Sequence, residues 1–148
     1  MYENLIHQVN NPQIKKLMQE NQELNRPNNP QVHLSASMVV FKEEKMIFIE
    51  HPIQKELLLP AGHVEPNEEA AQTALRELKE ETGFSAEHPK LIDVNLINIP
   101  ENSKDKAHIH IDFRYQAQLI NTPQTNAELP VFFLSKEEAP AEFRKYFP

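Results

Sequence analysis

The stretch GHVEPNEEAAQTALRELKEETGF, Gly62 to Phe84, contains both glycines of the chain, Gly62 and Gly83. In a sequence otherwise without glycine, two glycines at the ends of one charged run mark positions where a side chain is not tolerated. Between them, Glu68 to Thr82 is rich in Ala, Leu, Glu and Lys with acidic residues in its first turn, and is predicted to be the best helix of the chain. Gly83 is placed to end it in the left-handed conformation. At helical periodicity Ala71, Ala74, Leu75, Leu78 and Thr82 form one stripe for burial against a sheet. Glu77, Glu80 and Glu81 fall together on an adjacent face, where spacings of three and four bring Cβ atoms within about 5–6 Å.

Such a crowd of carboxylates needs an opposing charge. Arg76, four residues before Glu80, supplies one, but a single guanidinium does not neutralise three anions. A divalent cation does better, and clustered carboxylates without thiolates suit Mg²⁺ or Mn²⁺. The plain alternative is a solvated acidic helix face, which Lys79 supports.

The rest of the chain reads outward from this helix. A length of 148 residues fits one domain that needs no disulfide, and the absence of cysteine leaves only oxygen or imidazole ligands for a metal. No apolar run is long enough to span a membrane, and MYENLIHQVNN lacks the features of a signal peptide, so a cytoplasmic protein is expected. The net charge of −7 argues against a nucleic-acid partner.

Residues 1–31 are predicted to form a helical extension packed on the domain, in two pieces. Asn11 and Pro12 open the second piece, and RPNNP at Arg26 to Pro30 stops it. This extension covers the sheet or offers a homodimer surface. The main domain, 32–148, begins with strands. LSASMVVF, the turn KEEK and MIFIEH are expected to form a hairpin with arms ending near Phe41 and His51. LIDVNLINI (Leu91 to Ile99) and HIHIDFRYQAQLI (His108 to Ile120) are expected to pair. ELPVFFL makes a last short strand, and Ser135 with Glu138 forms a capping box for a terminal helix. Mixed strands around one strong helix indicate an α/β or α+β layered domain. In HIHIDFRYQ, one face is apolar and the other carries His108, His110, Asp112 and Arg114. The pair of histidines at i, i+2 suits zinc, but no third ligand is evident from the sequence.

The full spacing from Gly62 through Glu68, Arg76-Glu77, Leu78, Glu80-Glu81 and Gly83 to Phe84 resembles the signature of the Nudix hydrolases. The similarity extends over roughly residues 32–140, with HLSAS before the first strand, HxHxDxR in a late strand, and a final strand running into SKEE. The N-terminal helices are not a general feature of that family. The resemblance implies an α/β/α sandwich with a mixed β-sheet and a loop-helix-loop catalytic segment. It implies hydrolysis of a diphosphate linkage in a small nucleotide-type substrate, with Mg²⁺ or Mn²⁺ as cofactor. By the same resemblance Glu77, Glu80 and Glu81 bind the metal, with the backbone carbonyl of Ala61 as a further ligand. Arg76 orients Glu77 or a partner carboxylate, while Glu68, Gly62 and Gly83 are structural.

The general base in this family often lies outside the box. Glu128, at the expected start of the last strand, ranks first, then Asp112, then Glu101 and Asp105. His110, Asp112 and Arg114 are the candidates for substrate contact. The competing reading is a catalytically silent Nudix-fold module that binds a nucleotide or a protein. The sequence leaves the leaving group unnamed.

Overall fold

The computed structural model describes residues 2–148, and the chain opens with two short helices, α1 (Glu3–His7) and α2 (Pro12–Glu20). Asn11 caps α2, its side-chain oxygen accepting from the N–H groups of Gln13 and Ile14 at 2.9 and 3.1 Å. Val9, Ile14, Met18 and Leu24 are buried in the same apolar cluster as Leu34, Ala36 and Met38, so this segment shares the main core.

The body consists of β1 (Val32–Val39), β2 (Phe41–Lys42), β3 (Lys45–Glu50), β4 (Leu57–Leu58), β5 (Ala61–His63), α3 (Ala70–Thr82), β6 (Ala86–Ile99), β7 (His108–Leu119) and β8 (Val131–Leu134), followed by a 3-10 helix, Ala141–Tyr146. One sheet has the order β5-β1-β7-β6, with β1 and β7 parallel and the other pairs antiparallel. In the second, β3 pairs antiparallel with β2, β4 and β8. This is a mixed α+β architecture.

Three local expectations are corrected. The hairpin from LSASMVVF to MIFIEH does not form, because β1 and β3 belong to different sheets. Only the two-residue arm Phe41–Lys42 folds back on Lys45–Met46, around a turn with Glu43 at φ 59°. The reason is polar. Ser35 and Ser37 are buried, and their hydroxyls donate to Asp112 on β7 at 2.7 and 2.6 Å, which ties β1 to that strand. The central helix starts at Ala70 rather than Glu68. The N–H of Glu69 donates to Gln72 Oε1 at 3.3 Å, and Glu68 commits its carboxylate to other partners. Near the C-terminus the reciprocal Ser135–Glu138 bonds are present, but a turn follows and Pro140 precedes a 3-10 rather than an α-helix.

The sheet around β1 has two unlike faces. Leu34, Ala36, Met38, Ile111 and Phe113 pack with Ala74 and Leu78 of α3 in one core cluster. On the opposite face the register aligns His33 with His110, Ser35 with Asp112 and Ser37 with Arg114. No helix among the described residues is long and apolar enough to cross a membrane.

Candidate active site

The C-terminal half of α3 carries the acidic face, and the two glycines fix what surrounds it. Gly62 lies on β5 directly beneath Glu77, and a Cβ there would overlap the Glu77 carboxylate. Gly83 ends the helix at φ 78°, and a Cβ on it would meet the Thr125 carbonyl. The last carbonyls of α3, which have no intrahelical donor, are taken up by the loop at residues 124–129. Glu128 N–H donates to Glu80 O at 3.1 Å, Leu129 N–H to Glu81 O at 3.3 Å, and Thr125 N–H to Gly83 O at 2.9 Å. Gln124 Nε2 donates to Thr82 O at 2.9 Å. This capping docks Glu128 beside the acidic face. Glu128 lies in that loop, three residues before β8, and not at the start of the strand as expected from the sequence.

Arg76 is the hub of the cluster. Its Nε and Nη2 donate to Glu68 at 2.7 and 2.9 Å, and its Nη1 donates to Glu77 at 2.8 Å and to Glu80 at 3.2 Å. Thr73 Oγ1 and the Glu65 N–H also donate to Glu68, at 2.6 and 3.2 Å. These donors, Arg76 first, hold the Glu68 carboxyl down at about 2. Glu81 accepts from the Ala61 N–H at 2.9 Å, which fixes it against β5.

The remaining electrostatics run the other way. Burial raises Glu77 above the ordinary carboxylate range, and the neighbouring Glu80 and Glu128 push in the same direction against Arg76. Burial first, then Glu77, Glu128 and Glu80, push Glu81 up to about 8 despite the Ala61 N–H. The cluster therefore holds more potential negative charge than Arg76 offsets. Its side-chain donors are all oxygen, from Glu77, Glu80 and Glu81, and the missing Cβ at Gly62 is what admits the Glu77 carboxylate against β5. That combination fits a hard divalent cation.

The other predicted residues lie elsewhere. Asp112 is buried, accepts from Ser35 and Ser37, and pairs with Arg114 Nη2 at 3.2 Å. Arg114 Nε also donates to Ser37 at 2.9 Å and its Nη1 to the Tyr146 hydroxyl at 3.0 Å; that hydroxyl donates to Asp93 at 2.6 Å. Asp105 pairs with Arg26 at 2.7 Å. His110 sits with His33, His63 and His108 on the sheet face turned away from α3. His33 and His63 carry no signal in the sequence, since each is a lone histidine on a separate strand with no spacing relation to the others.

Known proteins resemble this chain in sequence and in fold. The NUDIX domain model matches residues 31–147. The chain is 56% identical over 137 residues to "Probable DHNTP pyrophosphohydrolase" of Lactococcus lactis subsp. cremoris, covering 90% of this chain and 82% of that protein. It is 36% identical over 73 residues to Phosphatase NudJ of Escherichia coli K12, 48% of each chain. Among solved structures, a NUDIX hydrolase from Nitrosomonas europaea superposes with a TM-score of 0.56 at 21% identity, covering 84% of this chain and 80% of that one. A NUDIX-family hydrolase from Clostridium perfringens gives 0.53 at 23% identity, covering 71% and 82%. Box spacing and family match converge: the chain belongs to the Nudix hydrolase family and is a hydrolase acting on diphosphate bonds.

Proposed function

We propose that this protein is a Mg²⁺-dependent pyrophosphohydrolase whose substrate is DHNTP or a close chemical relative, a small molecule carrying a diphosphate linkage. The observation that carries the substrate reading is the 56% identity to the Lactococcus lactis protein across 90% of this chain, which spans the entire box and the 124–129 loop. Mn²⁺ is the alternative ion for the same oxygen donors.

Glu77, Glu80, Glu81 and the Ala61 carbonyl would hold the cation. When bound, it offsets phosphate charge and makes water a better nucleophile at neutral pH. The protein's own contribution is placement. Arg76 aims Glu77 and Glu80 while anchored by Glu68, so Glu68 acts as a positioning residue two contacts from the substrate. The Ala61 N–H sets the Glu81 rotamer. Glu128 is exposed, is docked by its own backbone on the end of α3, and stands close enough to Glu77 and Glu81 to raise both. It is the assigned proton acceptor, since a carboxylate at the rim can pass the proton to solvent. Asp112 and Arg114 have their polar atoms engaged with Ser35, Ser37, Tyr146 and one another. Their assigned part is to keep the sheet's polar face rigid rather than to touch phosphate.

The test is incubation with DHNTP and Mg²⁺, with pyrophosphate release and product mass followed for the wild type, Glu80→Gln and Glu128→Gln. Release of pyrophosphate that both substitutions abolish supports the assignment. Turnover of other diphosphates but not DHNTP overturns the substrate. Unchanged turnover in Glu128→Gln overturns the base. Ligand binding without turnover across a diphosphate panel would favour a silent binding module.

A further inference from the structure

Four histidines from three strands meet on the sheet face opposite α3. His33 comes from β1, His63 from β5, and His108 and His110 from β7. The ring centroid of His33 lies 5.0 Å from that of His63, 5.2 Å from His108 and 4.9 Å from His110. Among the described residues, the set of three metal-ligating side chains whose ligand atoms all lie within 4.8 Å of one another is His33, His108 and His110. The Nε2 atoms of His108 and His110 are 3.1 Å apart.

A second observation points to a ligand. His33 is 1% exposed, and its Nε2 is the buried side-chain polar atom, among the described residues, that has no hydrogen-bond partner. A buried polar atom is ordinarily satisfied, so an orphan aimed into a cluster of imidazoles needs an explanation. Its tautomer is fixed. His33 Nδ1 lies 3.0 Å from the Asn29 carbonyl, which can only accept, so the proton resides on Nδ1 and Nε2 presents a lone pair. His108 repeats the arrangement, with Nδ1 2.8 Å from the Lys106 carbonyl and Nε2 turned towards His110. A backbone carbonyl behind each imidazole is the outer-shell pattern that orients metal-ligating histidines.

We propose that His33, His108 and His110 bind a borderline divalent transition metal, of which Zn²⁺ is the type, at a site separate from the carboxylates of α3. A tetrahedral ion with Zn–N bonds of about 2.0–2.1 Å holds its nitrogens roughly 3.3 Å apart. The His108–His110 pair already has nearly that spacing, and the two edges to His33, within 4.8 Å, are the ones a bound ion would draw in. The fourth position is left to water or an anion, with the His63 ring packed edge-on against His33 and His110 as a wall. Burial lowers His110 to about 3 and His33 below the usual histidine range, which leaves these two imidazoles neutral, as metal ligation requires. Imidazole donors discriminate against Mg²⁺, whose preference is oxygen, so the two sites do not compete for one ion.

The experiment is Zn²⁺ binding by the full chain in excess Mg²⁺, using a chromophoric chelator as competitor. Imidazole ¹⁵N resonances report the ligands. His108→Gln and His110→Gln test the site, and circular dichroism confirms that each is folded. Glu80→Gln serves as the control at the other site. The expected result is one zinc per chain in the wild type and in Glu80→Gln, shifted Nε2 resonances for His33, His108 and His110, and affinity lowered at least about 100-fold in either histidine variant. Absence of zinc binding under excess Mg²⁺ overturns the proposal. So does zinc lost in Glu80→Gln but retained in both histidine variants, or unshifted Nε2 signals.

Discussion

The acidic end of α3 and the histidine cluster on β1, β5 and β7 stand on opposite faces of one sheet and handle their polar groups in contrary ways. In the first, Arg76 and the Ala61 N–H occupy Glu68, Glu77, Glu80 and Glu81, and hold them apart while leaving an excess of negative charge. In the second, burial keeps His33, His63 and His110 uncharged, and the buried His33 Nε2 has no hydrogen-bond partner. A site with surplus charge and hard oxygen atoms suits Mg²⁺. A neutral site with nitrogen atoms suits Zn²⁺. Donor chemistry, more than depth in the fold, separates the two.

The largest expected effect belongs to the acidic side. Glu77→Gln or Glu81→Gln should lower kcat/KM by about 100-fold or more in steady-state assays with Mg²⁺. The metal-free protein should not lose thermal stability, since the change removes a buried like-charge contact. A large fall in Tm without Mg²⁺ would mean that the carboxylates hold the fold together, and the contrast between the two clusters would fail.

Next come the positioning groups. Gly62→Ala places a methyl group against the Glu77 carboxylate, and Arg76→Lys removes the fork that aims Glu77 and Glu80. Each should weaken Mg²⁺ activation by about 10–100-fold, read as a rise in the Mg²⁺ concentration for half-maximal rate. Gly83→Ala should act on stability instead. Its positive φ and the facing Thr125 carbonyl lead to an expected loss of about 1–2 kcal/mol in denaturant unfolding.

The pH dependence is the most diagnostic, because Glu68 and Glu81 are perturbed in opposite senses. Glu68 sits at about 2 when folded, against 4.5 for the unperturbed group. It therefore contributes stability that is present above about pH 4.5 and is lost as pH falls towards 2. Glu81 sits at about 8 when folded, also against 4.5. The native state then binds the extra proton, so metal-free stability is highest below about pH 4.5 and falls as pH rises towards 8. Unfolding of Glu68→Gln should have a flatter acid limb, and that of Glu81→Gln a flatter neutral limb. The slope in either window is at most about 1.4 kcal/mol per pH unit for one proton. If the two variants altered the same limb, the opposed electrostatics would be refuted.

The acidic site was legible because it lies in one contiguous run. Arg76, Glu77, Glu80 and Glu81 share a helix, so their separation follows from helical spacing, and the glycines announce the tight approaches at either end. The pairing of β1 was not legible. LSASMVVF and MIFIEH are neighbours in sequence and both apolar, but the buried Ser35 and Ser37 required Asp112, which lies far along the chain. Glu128 was singled out from the sequence, yet its place beside Glu77 and Glu81 depends on loop N–H groups finding the open carbonyls of α3.

The sequence by itself determined the central helix, its glycine ends, the carboxylate face and the family, since local geometry and fixed spacing suffice for each. Only the tertiary structure decided that His33 and His63 join His108 and His110. Their meeting depends on the parallel register of β1 with β7 and on the pairing of β5 with β1. Such contacts are set by packing across the whole sheet, and no local periodicity encodes them.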